Sequence, residues 1–125
     1  MERYFISLAA ASGFLAVALG AFGAHALKAR LDEYSLGVFR TAVEYHFYHS
    51  LALLAVGLLL LWHPGNGLLK FSGHGYLLGI VLFSGSLYLL AFTGIRGLGA
   101  VTPLGGLCFL AGWAALCLAG LRLSP

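Results

Sequence analysis

Four stretches of the chain, residues 5–26, 41–62, 76–92 and 104–121, are almost wholly apolar, and polar or helix-breaking residues gather between them. The first carries no charge except a histidine near its end, the second is apolar after its polar opening turns, and the last two are uncharged. Each is close to the roughly 17 to 25 residues that a membrane helix needs. The connectors fit that division. Residues 28–40 hold the densest run of charge, His63-Pro64-Gly65-Asn66-Gly67 is a breaker cluster, and Gly94, Gly97 and Gly99 punctuate residues 93–102. Thr102 and Pro103 suit the cap and first position of a last helix. The pattern predicts an all-α integral membrane four-helix bundle, two helical hairpins in a single domain of residues 1–125.

Composition agrees: 61% of residues are hydrophobic and only 9% charged, with mean hydropathy +0.96, whereas soluble domains carry about 25% charged residues. The net charge of +3 does not point to nucleic acid, because the basic residues are scattered singly; the expected partner is the lipid bilayer. Ala24-His25-Ala26 resembles a signal-peptidase site. Glu2 beside Arg3 and an apolar run longer than the roughly 7 to 15 residues of a signal sequence predict a retained helix instead. Four spans put both termini on one side, with Arg3, Lys70 and Arg122 facing one compartment and Lys28, Arg30, Arg40 and Arg96 the other. That balance does not fix orientation.

Small residues recur on the spans. Ala9, Gly13, Ala16, Gly20 and Gly23 lie every three or four residues in the first, Gly75 and Gly79 open the third, and Ala111, Ala115 and Ala119 repeat in the fourth. Such stripes let helix backbones approach closely in lipid, so a packed bundle is expected and not a pore. Cys108 and Cys117 are nine residues apart, roughly 13 Å along one helix and beyond the alpha-carbon separation of about 4.4 to 6.8 Å that a disulfide requires. They read as small apolar packers.

Ionisable groups cluster around Glu44. Arg40, Glu44 and Tyr48 share one helical face, His46 and His49 another, and antiparallel packing brings His25 and Arg96 to the same membrane side. One reading pairs Glu44 with Arg40 while the histidines bond backbone groups. A second makes Glu44 a titrating proton or substrate site. A third, lesser alternative uses His25, His46 and His49 for a metal or haem; no cofactor and no metal is the expectation.

Gly20-Ala21-Phe22-Gly23-Ala24-His25, Thr41-Ala42-Val43 with Tyr45-His46 and His49, Phe83-Ser84-Gly85-Ser86-Leu87-Tyr88, Thr102-Pro103-Leu104-Gly105-Gly106 and Gly112-Trp113 together resemble the uncharacterised four-helix membrane family numbered 423 among domains of unknown function. That family includes bacterial YgdD-like proteins and an animal transmembrane relative. The resemblance covers essentially the whole chain and implies a small inner-membrane protein of bacteria without assigned catalytic residues. No nucleophile elbow, phosphate loop or HExxH is present, and Ser84 and Ser86 around Gly85 suit packing and backbone bonding better than catalysis. A non-enzymatic role is expected. The leading reading is an accessory or structural subunit that packs with itself or a larger membrane complex; the alternative is a proton or small-molecule binding or transport protein using the polar cluster.

Overall fold

The structure, a computed structural model, describes residues 2–123 apart from the side chain of Ala24. Helix α1 spans Glu2–Ala26 and α2 spans Glu33–Trp62. The third span is composite: α3 at Gly67–Gly79, a π-helical turn at Ile80–Ser84, and α4 at Gly85–Thr93. A 3-10 turn at Arg96–Ala100 leads into α5 at Thr102–Arg122. Four of these units, Glu2–Gly23, Glu33–Trp62, Gly67–Thr93 and Arg96–Arg122, are long and apolar enough to cross a membrane. The chain is therefore an all-α, multi-pass bundle whose environment is the lipid bilayer.

Two helices begin well before their apolar runs, because a cap and not hydrophobicity starts a helix. Asp32 Oδ1 accepts the Ser35 backbone N–H at 2.8 Å, so α2 is helical from Glu33 and not from 41. That bond holds the exposed Asp32 carboxyl below its ordinary value of 3.8. Asn66 Oδ1 likewise accepts the Leu69 N–H at 3.0 Å after Gly65 turns the chain at φ +83°, and α3 starts at Gly67 and not at 76. Thr102 departs from its expected capping role. Val101 ahead of it is already helical, and no side chain caps α5; the Thr102 hydroxyl lies 2.6 Å from Ser86 Oγ on α4 instead.

In cross-section α2 and the third span form the middle, α1 leans on α2, and α5 leans on the third span. The half holding the chain ends is mainly apolar: Phe5, Leu53, Val56, Leu60, Leu69 and Ala119 pack in one cluster. Outside it the usual soluble pattern is reversed. Phe14, Phe22, Trp62 and Leu121 are each at least 74% exposed, which hydrocarbon tolerates.

Close approach carries the seams. The Phe39 ring lies on Gly23 and the Phe109 ring on Gly79, where a Cβ would overlap them. Val43 sits 3.2 Å from the Cβ position of Gly20, and the Cys108 carbonyl 3.0 Å from that of Gly75. Ala16 and Ala115 are buried. Two members of the stripes are not: Gly13 has nothing within 4 Å of its Cβ position, and Ala111 is only half-buried while Gly112, next to it, faces the seam. Gly57, Gly73, Gly105 and Gly112 also meet neighbours at contact distance. At Gly105 the neighbour is backbone, the Phe83 N and Cα of the π turn. A flexible side chain could move aside; a helix backbone cannot. Gly105→Ala is expected to cost about 1 to 3 kcal/mol of stability by overpacking, while Gly13→Ala leaves it unchanged or slightly raised. Thermal unfolding of both variants in detergent checks the contrast, and equal midpoints would contradict it.

Candidate functional site

Above the apolar half lies a half richer in buried hydrogen bonds, and α2 supplies its two centres. His46 is 3% exposed and His49 5%. The two lie less than a turn apart on one face of α2, yet their rings reach different neighbours, His46 toward α1 and α4 and His49 toward α5. His46 Nε2 is 3.0 Å from Ser12 Oγ on α1, and His46 Nδ1 is 2.9 Å from the Tyr88 hydroxyl on α4. Ser12 Oγ is also 2.6 Å from Ser50 Oγ, and Ser50 Oγ is 2.7 Å from the His46 carbonyl one turn back.

Counting hydrogens assigns every donor in this chain. A carbonyl only accepts, so the single Ser50 hydrogen goes to His46 O. The hydrogen between the serines therefore comes from Ser12. Ser12, with its hydrogen used, accepts from His46 Nε2–H; no acid faces this buried ring to offset a charge, so it is neutral, and its bare Nδ1 accepts from Tyr88 O–H. The order Tyr88 to His46 to Ser12 to Ser50 to the His46 carbonyl is thus directional, and it joins α1, α2 and α4 at one point.

His49 is held in the opposite tautomer. Its Nδ1–H donates to the Tyr45 carbonyl at 2.8 Å, and its Nε2 accepts from Trp113 Nε1–H of α5 at 3.0 Å. The ring stacks on Phe109 with centroids 3.5 Å apart and planes within 8°. Three further hydroxyl bonds tie seams: Ser84 donates to the Ala42 carbonyl, Ser72 to the Gly112 carbonyl, and Thr102 to Ser86, whose own hydrogen goes to the Phe83 carbonyl within the same span. The Tyr76 hydroxyl, deep in the core, has no partner among the described residues.

The π turn sets this register. One extra residue rotates the remainder of a helix by about 100°, and it is at the end of this turn that Ser84, and after it that Ser86 and Tyr88, meet α2 and α5. Between α1 and the third span a cleft of about 480 Å³ remains, lined by Leu8, Ala11, Ser12, Leu15, His46, Leu77, Ile80, Val81, Gly85 and Tyr88. Its rim residues Leu8, Leu15 and Val81 are 46 to 66% exposed on the flank of the bundle, so it opens sideways toward lipid. A second cleft, of about 550 Å³, lies on the other side of α2 beside His49, Phe109 and Trp113.

The expected cluster is largely dispersed. Glu44 and Arg40 are exposed on the outer α1–α2 seam, and no ion pair joins them; they line a small crevice with Gly20 and Phe39. His25 is exposed at the end of α1. The Arg96 guanidinium lies 5.6 Å from the centre of the Tyr34 ring, at the cation–π range, and ties the last connector to the start of α2. His25, His46 and His49 do not converge: among the described residues no group of three or more His, Cys, Asp or Glu could hold a metal, and both nitrogens of each buried histidine already have partners. The residues that do converge with His46 are Ser12, Ser50 and Tyr88. Polar side chains inside apolar runs are the available signal for them, and Ser12 and Ser50, being uncharged, give it only weakly.

A polar junction inside an apolar four-span bundle defines the chain as a membrane protein built around buried hydrogen bonds. The sequence pattern described as "Protein of unknown function (DUF423)" matches residues 19–106, and the chain belongs to that family. It is similar to the "UPF0382 membrane protein YwdK" of Bacillus subtilis, 45% identical over 96% of this chain and 98% of the relative. A "UPF0382 membrane protein" of Haemophilus influenzae is 44% identical over 93% of this chain and 92% of its own length. The "UPF0382 inner membrane protein YgdD" of Escherichia coli is 41% identical over 98% and 92%. No solved structure matches.

The Trp113 bond to His49 has a measurable consequence. Trp113→Phe leaves a buried imidazole acceptor without a donor, and a loss of about 1 to 3 kcal/mol is expected. Combined with His49→Phe, the two losses should sum to more than the double variant shows, because the acceptor is then gone. A double-mutant cycle of unfolding in detergent checks it; additive losses would mean that the two side chains are not coupled.

Proposed function

We propose that the protein holds a small amphipathic molecule, taken sideways from the bilayer, in the cleft between α1 and the third span. We place it in the inner membrane, the location in the name of the E. coli relative. The observation that carries this reading is the position of the directional hydrogen-bond chain at the wall of an otherwise apolar, lipid-facing cleft. Concave apolar sites with a few convergent polar groups are the usual form of a small-molecule pocket. Buried polar groups in a span carry a cost that function can justify.

The chain supports holding a ligand better than conducting protons. It ends on a backbone carbonyl, which has no proton to pass on, and Glu44 stands apart from it on the outer seam. The role is binding, without chemistry performed on the ligand and without a cofactor. A second reading, an accessory subunit that packs against another membrane protein, draws on the exposed Glu44 beside Gly20 and Ala16, since an acid facing outward from a span favours a partner there.

Filling the cleft separates the two. No atom stands near the Cβ position of Gly85, and Ala11 is exposed on the cleft wall, so Ala11→Phe occupies the space without crossing a seam. Protein purified from native membranes is expected to carry a lipid-soluble small molecule by mass spectrometry, lost in Ala11→Phe. The same adducts in both proteins, or a stoichiometric second polypeptide with no small molecule, would overturn the binding reading.

A further inference from the structure

We propose that this cleft selects molecules whose polar group donates a hydrogen bond, specifically lipid-soluble alcohols, over those that only accept, such as ethers. The inference rests on the binding reading above. Three lining side chains carry polar atoms, Ser12, His46 and Tyr88. Each has committed its hydrogen: Tyr88 to His46, His46 to Ser12, Ser12 to Ser50. What remains is lone pairs, one set on the Tyr88 oxygen at the head of the chain and one on Ser12. The cleft therefore offers acceptors and no donors. A hydroxyl entering with its apolar body among Leu8, Leu77, Ile80 and Val81 completes the chain by donating to Tyr88. An ether or ketone brings oxygen against oxygen with no hydrogen between them. A charged ammonium also donates, but no acid lines the cleft to offset its charge.

Direction is enforced from the far end. To present a hydrogen to the ligand, Tyr88 would have to accept from His46 Nδ1–H; Nε2 would then need the Ser12 hydrogen, and Ser50 would have to leave the His46 carbonyl to separate two serine oxygens 2.6 Å apart. Ser50 touches no ligand; it is a positioning residue that acts through Ser12 and His46.

The test uses the full chain in lipid nanodiscs and a decanol carrying a photoreactive diazirine. Unlabelled decanol and decyl methyl ether compete at equal bilayer concentration. Label is expected on residues 8–15 and 77–88, displaced about tenfold more effectively by decanol than by the ether, the factor one hydrogen bond supplies. Label absent from those segments overturns the binding reading and this inference together. Label present with equal displacement overturns only the selectivity. Ser50→Ala frees the Ser12 hydrogen to turn to Nε2, lets the chain reverse, and is expected to bring the two competitors within about twofold while labelling persists. A retained tenfold preference in that variant would contradict the enforced direction.

Discussion

Ser50 has one hydroxyl hydrogen, and its donation to the His46 carbonyl fixes the direction of the buried hydrogen-bond chain that joins three helices. It turns Ser50 into an acceptor for Ser12, which makes Ser12 an acceptor for His46, which leaves His46 open to Tyr88. A serine bonded to its own helix is thus the device that orients a neighbour's donor. The same arrangement recurs where Ser86, bonded to the Phe83 carbonyl, receives the Thr102 hydroxyl from α5. Without the backbone acceptor each chain could run either way, and the tautomer of His46 would be undetermined.

Lipid explains why such bonds coexist with bare glycines. Hydrocarbon chains are as apolar as leucine, so burying apolar surface between helices gains little, and association depends on close packing and polar contacts. Interhelical hydrogen bonds within membranes average about 0.6 kcal/mol and reach about 1.7. The few here cannot hold the bundle alone. The backbone approach at Gly75 and Gly105, and the rings seated on Gly23, Gly73 and Gly79, supply the extended contact. The bonds select register: α2 cannot slide or rotate against α1 and α4 without parting His46 from Ser12 and Tyr88. His49, in the opposite tautomer, does the same toward α5.

The spans are readable in the sequence because length and apolarity alone determine them, and so is the close packing announced by Gly20, Gly23, Gly75 and Gly79. Which face of a helix looks inward is not. In a soluble helix polar residues mark the outside, but here Leu and Phe occupy both sides, and Gly13 and Ala111 fall off the seams while Gly105 and Gly112 lie on them. Charge draws attention to Glu44, His25 and Arg40, which stand on the outside. The neutral hydroxyls that build the junction carry no such signal, and nothing in Ile80-Val81-Leu82-Phe83-Ser84 announces the π turn that brings Tyr88 to His46.

Two histidines three residues apart, locked as opposite neutral tautomers by different helices, are central to this molecule. Isotope-edited solid-state NMR of the imidazole nitrogens in bilayers tests that state directly, with His46→Gln and His49→Gln spectra assigning the signals. The expected result is a proton on Nε2 of His46 and on Nδ1 of His49. A proton on Nδ1 of His46, or one tautomer shared by both rings, would contradict it.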